Sequence, residues 1–288
     1  MSRGLMTSRR FAPLFWCQFF SALNDNFVKN ALVALILFGI ASQQQAGLVA
    51  LAGAALVLPM FLFSAAGGEI ADSHDKALIA RRLKFAEIFV ALLGAIGFWL
   101  SSVAILMATL ALLGLIAALF GPIKYGILPD HLEKQQLPAA NALVESGTFF
   151  AILLGTVAGT ALGAMPEKGW AAGAMVACAI AAWLSARAMP STHVSAPDLT
   201  VDRNPLRSTV RLLAELRQHP RLWTGTLIVS WFWLDGMVVL SAMPPFLTQR
   251  LNATPGMVSA ALMTFAIGIA VGSWIAARAS RLRPNLGL

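Results

Sequence analysis

Phe11-Ala12-Pro13-Leu14-Phe15-Trp16-Cys17-Gln18-Phe19-Phe20-Ser21-Ala22-Leu23-Asn24-Asp25-Asn26-Phe27-Val28-Lys29-Asn30, apolar from there to Ile40, is the run that decides the fold. Crossing hydrocarbon takes about 20 mostly apolar residues, and this run has the length. It is too long, and too polar inside, to be a cleaved signal peptide. Gln18, Ser21, Asp25 and Lys29 follow one another at intervals of three, four and four, which puts them on one helical face. Asp25 precedes Lys29 by four, the order that favours an ion pair. An ionisable side chain in hydrocarbon costs about 2.5–3.5 kcal/mol on insertion scales, so it must meet a partner or water. Two readings stand side by side: a structural pair that fixes helix packing, and a polar stripe lining a water-filled cavity. Gln18, Ser21, Asn24, Asp25, Asn26, Lys29 and Asn30 exceed what one pair requires, which favours the stripe.

The rest of the chain agrees with a membrane setting. Of 288 residues 58% are apolar and only 12% charged, about half the charged share of a soluble domain. That leaves too little charge for a soluble shell and too much hydrophobicity for disorder. Cys17 and Cys178 are the only cysteines, and both lie in apolar runs, so a disulfide scaffold is excluded. Eight runs are long enough to span: 11–40, 46–68, 82–101, 103–124, 138–164, 169–189, 221–249 and 256–277. None alternates as a membrane barrel requires. The expected fold is all-α and polytopic.

The net charge of +8 is a topology signal. Seventeen of the 21 Lys and Arg fall in connections on one side of these spans. They include Arg3, Arg9 and Arg10 ahead of the first span, Lys76, Arg81, Arg82 and Lys84 around the second connection, and Arg203, Arg281 and Arg283 further on. Lys168 and Arg250 are the two on the other side. Positive charge is retained in the cytoplasm, so the amino terminus is expected there. Solvated loops obeying this rule explain the charge without nucleic acid.

Residues 190–220 form one long connection with Pro190, Pro197, Pro205 and Pro220 and a short amphipathic stretch near 206–217. Six spans, a cytoplasmic linker and more spans is the plan of transporters built from two six-helix halves. The expected organisation is a bundle at 1–189, a linker at 190–220 and two helices of an incomplete second bundle at 221–288, the chain being a fragment. Asp235 lies 14 residues after Arg221 as Asp25 lies 14 after Phe11, about 21 Å into each span. It is the expected counterpart of Asp25.

Three other places carry polar chemistry. Gly121-Pro122-Ile123-Lys124-Tyr125-Gly126 should break or kink the end of the fourth span. Lys124 either snorkels to headgroups or meets Glu145, which sits at a similar depth in the fifth span. Gly147, Gly155, Gly159 and Gly163 let another helix approach closely, which is packing. The loop from Gly67 to Arg82 mixes glycine, acid and base, with Gly68, Asp72, Arg81 and Arg82 as candidates for a gating charge relay. Glu87 reads as a partner for Lys84. No phosphate loop, metal-binding His pair or nucleophile elbow is present, and no cofactor is expected. The four histidines all fall in connections, so no metal site can be built from them within the membrane. His193 and Asp198 match the His-x4-Asp pattern of glycerolipid acyltransferases, but in a Pro/Ser-rich linker without a surrounding fold.

Several stretches together resemble a known family. Gly68-x-x-x-Asp72 before basic residues is similar to the second-connection signature of the major facilitator superfamily, with Asp75-Lys76 replacing the usual Gly-Arg step. Gln18-Phe19-Phe20-Ser21-Ala22 leading to Asp25-Asn26, Lys124-Tyr125-Gly126-Ile127-Leu128, and Asn141-Ala142-Leu143-Val144-Glu145-Ser146 followed by Ala151-Ile152-Leu153-Leu154-Gly155 resemble the bacterial lysophospholipid transporters. The resemblance is strongest over 11–164. It implies twelve spans, of which about eight are here, in the bacterial inner membrane. It implies movement of lysophosphatidylethanolamine, and of lysophosphatidylglycerol, from outer to inner leaflet by alternating access. A partner or fused acyltransferase and acyl-carrier-protein synthetase would then restore the missing chain. A zwitterionic headgroup wants an acid for its ammonium and a base for its phosphate. Asp25 and Lys124 suit these roles, with Gln18, Asn24, Asn26, Lys29, Glu145 and Asp235 in support. The alternatives are a proton-linked exporter of amphipathic drugs using Asp25 and Glu145, and a membrane anchor for a downstream acyltransferase. The missing proline in the fifth-span glycine run argues against the exporter, and the missing nucleophile–base set argues against catalysis within these residues.

Overall fold

The computed structural model describes residues 2–39, 45–202, 204–252 and 255–279. Arg203, Arg281 and Arg283, counted above in the charge asymmetry, lie outside the described residues, as does Ile40 at the end of the first run.

Among the described residues the chain is helical, without strands. Eight helices have 20 to 32 residues: α2 (Ala12–Gly39), α3 (Gln45–Ser73), α4 (Lys76–Trp99), α5 (Val103–Gly126), α7 (Leu137–Ala164), α8 (Lys168–Arg187), α10 (Pro220–Leu251) and α11 (Pro255–Ala279). They coincide one for one with the eight expected runs. Three are shorter: α1 (Ser2–Met6), α6 (Leu128–His131) and α9 (Pro205–Gln218). Among the described residues four stretches are long and apolar enough to cross a membrane, Gly47–Ser73, Val103–His131, Leu137–Ala164 and Lys168–Arg187. Polar and charged residues dilute α2 and α4.

The chain forms two compact units, Met1–Thr209 and Val210–Leu288. In the first, α2 packs along α7, α3 along α5 and α4 along α8, with α2 also on α8 and α4 on α5. Exchanging α2, α3, α4 for α5, α7, α8 turns these pairings into themselves, so the six helices are two repeats of three. In the second unit α10 packs on α11.

Small residues set the closest crossings. Gly155, Gly159 and Gly163 of α7 lie directly on the backbone of Leu23, Phe27 and Ala31 in α2, where a Cβ would collide. Gly114 of α5 meets the Leu56 carbonyl of α3 in the same way. Of the break or kink expected at Pro122, a break is not seen: α5 runs through it to Gly126. The proline lacks the N–H that would serve the carbonyl four residues back. That carbonyl, of Ala118, faces Gly67 of α3, where a Cβ would stand 2.7 Å away. The two helices therefore close over the defect.

Apolar side chains cover the outside as well as the interior. Phe61, Phe89, Trp99 and Val157 are all more than half exposed, as lipid-facing residues are. Inside the first unit the buried apolar residues form two separate clusters. One joins Phe27, Leu32 and Ile36 of α2 to Ala91 and Phe98 of α4, Leu106 and Leu110 of α5 and Met175 of α8. The other joins Phe11, just ahead of α2, and Leu14 and Cys17 of α2 to Ala77 and Ala80 of α4, Phe120 and Ile123 of α5, Val144 of α7 and Met189.

Candidate functional site

Between the two apolar clusters lies a polar band. On α2 it runs from Gln18 to Asn26, on α4 it holds Lys84 and Glu87, and on α7 it holds Glu145 and Thr148. Lys29 and Lys124 flank it, each at the level of a different cluster. The band with its flanks contains three acids (Asp25, Glu87, Glu145) and three bases (Lys29, Lys84, Lys124), equal in number.

Asp25 is half-buried, and four charges act on it: in order of influence Glu87, Lys84, Lys124 and Lys29. These come from α2, α4 and α5, so Asp25 is where the charged helices converge. The expected Asp25–Lys29 ion pair is not formed among the described residues. The Lys29 ammonium instead donates to Asn26 Oδ1 at 3.3 Å. Lys124 is half-buried with its ammonium 4.7 Å from the Tyr125 ring centre, and Glu145, Lys84 and Asp25 all act on it. Glu145 Oε1 accepts from the Tyr125 hydroxyl, while its Oε2 is buried without a partner.

Part of the first-span seam is tied to the neighbouring helix. Gln18 Nε2 donates to Thr148 Oγ1 at 3.1 Å, and Asn30 Nδ2 to Thr156 Oγ1 at 3.2 Å, both on α7. Asn26 Nδ2 donates to the Ala22 carbonyl at 2.9 Å, and the Ser21 hydroxyl to the Cys17 carbonyl at 2.8 Å. Asn24 is fully buried, yet neither amide atom has a hydrogen-bond partner. A buried unsatisfied amide costs about 1–3 kcal/mol, so Asn24 is a polar group left unpaired inside the band among the described residues.

Sequence reasoning counted Lys84 among loop bases. It lies inside α4, 1% exposed, paired with Glu87 at 2.6 Å and 4.3 Å from the Phe120 ring centre. Glu87 Oε1 is buried without a partner. The pairing is the one expected from sequence, where the three-residue spacing puts both on one face. Asp235 lies in α10 of the second unit and is exposed.

The connection after α8 is strapped over the α3–α4 turn. Asp75 caps α4, accepting from the Ala77 N–H at 2.9 Å, the Thr192 N–H at 3.0 Å and the Thr192 hydroxyl at 2.9 Å. Partial burial pushes its carboxyl up, but these hydrogen bonds outweigh it and hold the group below the usual carboxylate range. Lys76 joins Asp130 at 3.0 Å and Ser195 at 2.9 Å. Arg81 donates to the Met189 carbonyl, and Arg82 is exposed. Asp72 is exposed while its carbonyl accepts from Ala196 N–H at 2.8 Å, and Gly68 has open space at its Cα. His193 faces Asp130 at 3.7 Å.

A helical bundle with a three-plus-three repeat and a charged interior is the architecture of a polytopic membrane carrier, and the chain belongs to the Major Facilitator Superfamily, whose family model matches residues 14–287. It is 30% identical over 95% of its length to "Lysophospholipid transporter LplT" of Pectobacterium carotovorum subsp. carotovorum (strain PC1), covering 65% of that protein. Against the protein of the same name from Yersinia enterocolitica serotype O:8 / biotype 1B (strain NCTC 13174 / 8081) the figures are 30%, 95% and 66%. Against that of Yersinia pestis (strain Pestoides F) they are 31%, 95% and 65%. The chain thus spans just under two thirds of the length of these relatives.

Proposed function

We propose that the protein is a secondary transporter that moves lysophospholipids of the lysophosphatidylethanolamine class from the outer to the inner leaflet of the bacterial cytoplasmic membrane. Re-acylation by a partner or fused acyltransferase follows. The observation that carries this reading is the band of three acids and three bases held between two apolar clusters, with an acid, Asp25, and a base, Lys124, both half-buried there. A zwitterionic headgroup adds no net charge to such a band. Its ammonium takes Asp25, its phosphate takes Lys124, and Asn24 with the free oxygens of Glu87 and Glu145 serves its remaining donors and acceptors. Gln18, Asn26 and Lys29 shape the α2 wall. The acyl chain needs no polar path and stays in lipid. The names of the relatives support the same substrate class.

In this reading residues 1–189 are the first bundle, 190–220 the cytoplasmic linker and 221–288 the opening helices of a second bundle, in which Asp235 is the counterpart of Asp25. The amino terminus is cytoplasmic. The apolar clusters close the band in turn as the halves rock, and Gly68, Asp72, Arg81 and Arg82 govern that movement at the cytoplasmic end. The protein acts without chemistry of its own.

The test is uptake of labelled lysophosphatidylethanolamine into spheroplasts, with extrusion of cationic drugs measured alongside. Uptake without extrusion supports the reading. Extrusion without uptake replaces it with the proton-linked exporter, and neither activity with intact re-acylation leaves the membrane anchor.

A further inference from the structure

We propose that α9 lies along the membrane surface, its apolar face among the acyl chains and Arg207 and Arg211 on anionic phospholipid headgroups. The helix is strongly amphipathic. Leu206, Val210 and Leu213 recur at intervals of four and three, with Leu212 and Leu216 widening the stripe; Arg207 and Arg211 stand on the opposite face, and Arg217 closes the stripe in the last turn. Leu206, Val210 and Leu213 are 56%, 67% and 44% exposed, so the protein does not bury this stripe.

Both ends of α9 are tied to helices of the membrane domain. At its start, Asp202 N–H donates to Glu69 Oε2 at 2.8 Å. Glu69 is four residues from the end of the membrane-crossing segment Gly47–Ser73, about 6 Å of helix rise, which is headgroup depth. Asn204 then caps α9, accepting from Leu206 N–H at 3.1 Å, and Arg207 reaches Asp202 at 3.7 Å. At its end only His219 separates α9 from α10, and Arg217 sits 5.8 Å from the ring centre of Trp223, the type of residue that marks a membrane interface. The start of α9 is therefore held at headgroup depth, and its end leads into a helix whose opening turn carries an interfacial tryptophan.

Charge selects the kind of lipid. Between Asn204 and Arg221 there are four arginines and one acid, Glu215. A basic polar face with an apolar opposite face is the pattern of helices that bind anionic leaflets. This inference holds whatever the transported substrate is.

The experiment uses the protein in vesicles of phosphatidylethanolamine and phosphatidylglycerol, with Cys17→Ala and Cys178→Ala as background. Nitroxides are attached singly to Leu206→Cys, Arg207→Cys, Val210→Cys, Arg211→Cys and Leu213→Cys. The ratio of collisions with oxygen to collisions with a water-soluble nickel chelate is expected to be about fivefold higher at 206, 210 and 213 than at 207 and 211. Replacing phosphatidylglycerol by phosphatidylcholine is expected to halve that contrast, roughly. A flat profile, or one dominated by the chelate at all five positions, overturns the proposal. An unchanged contrast in the neutral vesicles overturns the assignment to anionic lipid.

Discussion

Lys84 and Glu87 form an ion pair at 2.6 Å within the helical bundle, with side chains 2% and 1% exposed. Both come from α4, one turn apart, and the pair stands beside Asp25. A buried pair is held by mutual neutralisation more than by net gain, so removing one partner exposes the other's desolvation cost.

Glu87→Leu is therefore expected to destabilise the protein by about 3–5 kcal/mol, because it strands the Lys84 ammonium. The double change Lys84→Met with Glu87→Leu should recover most of the loss. Thermal unfolding in detergent, followed by size-exclusion fluorescence, measures both. A double variant as unstable as the single one would show that the cost is packing and not charge.

The crossing of α2 and α7 makes a second prediction. Gly159→Ala pushes a Cβ into the Phe27 backbone and should cost about 1–3 kcal/mol. Gly173→Ala in α8, which has open space around its Cα, should be neutral or slightly stabilising. Equal effects at the two positions would contradict the close crossing.

Asp75 makes the prediction for pH. Its folded carboxyl is held below the ordinary range, so it stabilises the fold fully above the unfolded value, about 3.9. That contribution is lost as pH falls through the lower, folded value. Wild type should thus melt above Asp75→Asn near neutrality, and the gap should narrow on acidification below about pH 4. A gap independent of pH would contradict the role of the charged form.

The helices were legible because apolar length is a local property: each of the eight runs became one helix. Their inward faces were less so. A membrane helix is apolar on both sides, and periodicity does not tell lipid from neighbour. The expected span begins at residue 82, next to the basic cluster Arg81, Arg82 and Lys84, which counts Lys84 with the connection, yet α4 begins at Lys76 and buries it. Likewise the intervals in α2 placed Gln18 with Asp25, but only the position of Thr148 on α7 shows that Gln18 is a tie between helices. The glycine spacing at 155, 159 and 163 did announce a close neighbour, and that neighbour is α2.

Thiol labelling separates tie from passage along α2. With the native cysteines replaced, Asp25→Cys and Lys29→Cys should react with water-soluble reagents, because both positions are half-buried at the charged convergence. Gln18→Cys, packed against Thr148, should resist. Uniform protection would mean that the band holds no water.

The most direct measurement is uptake of labelled lysophosphatidylethanolamine by spheroplasts carrying wild type, Asp25→Asn or Lys124→Ala at matched membrane levels. Loss of one charge-assisted contact, worth about 1.5–3 kcal/mol, predicts a fall in uptake of roughly tenfold or more for either variant. Wild-type uptake by both would contradict the assignment of Asp25 and Lys124 to the headgroup.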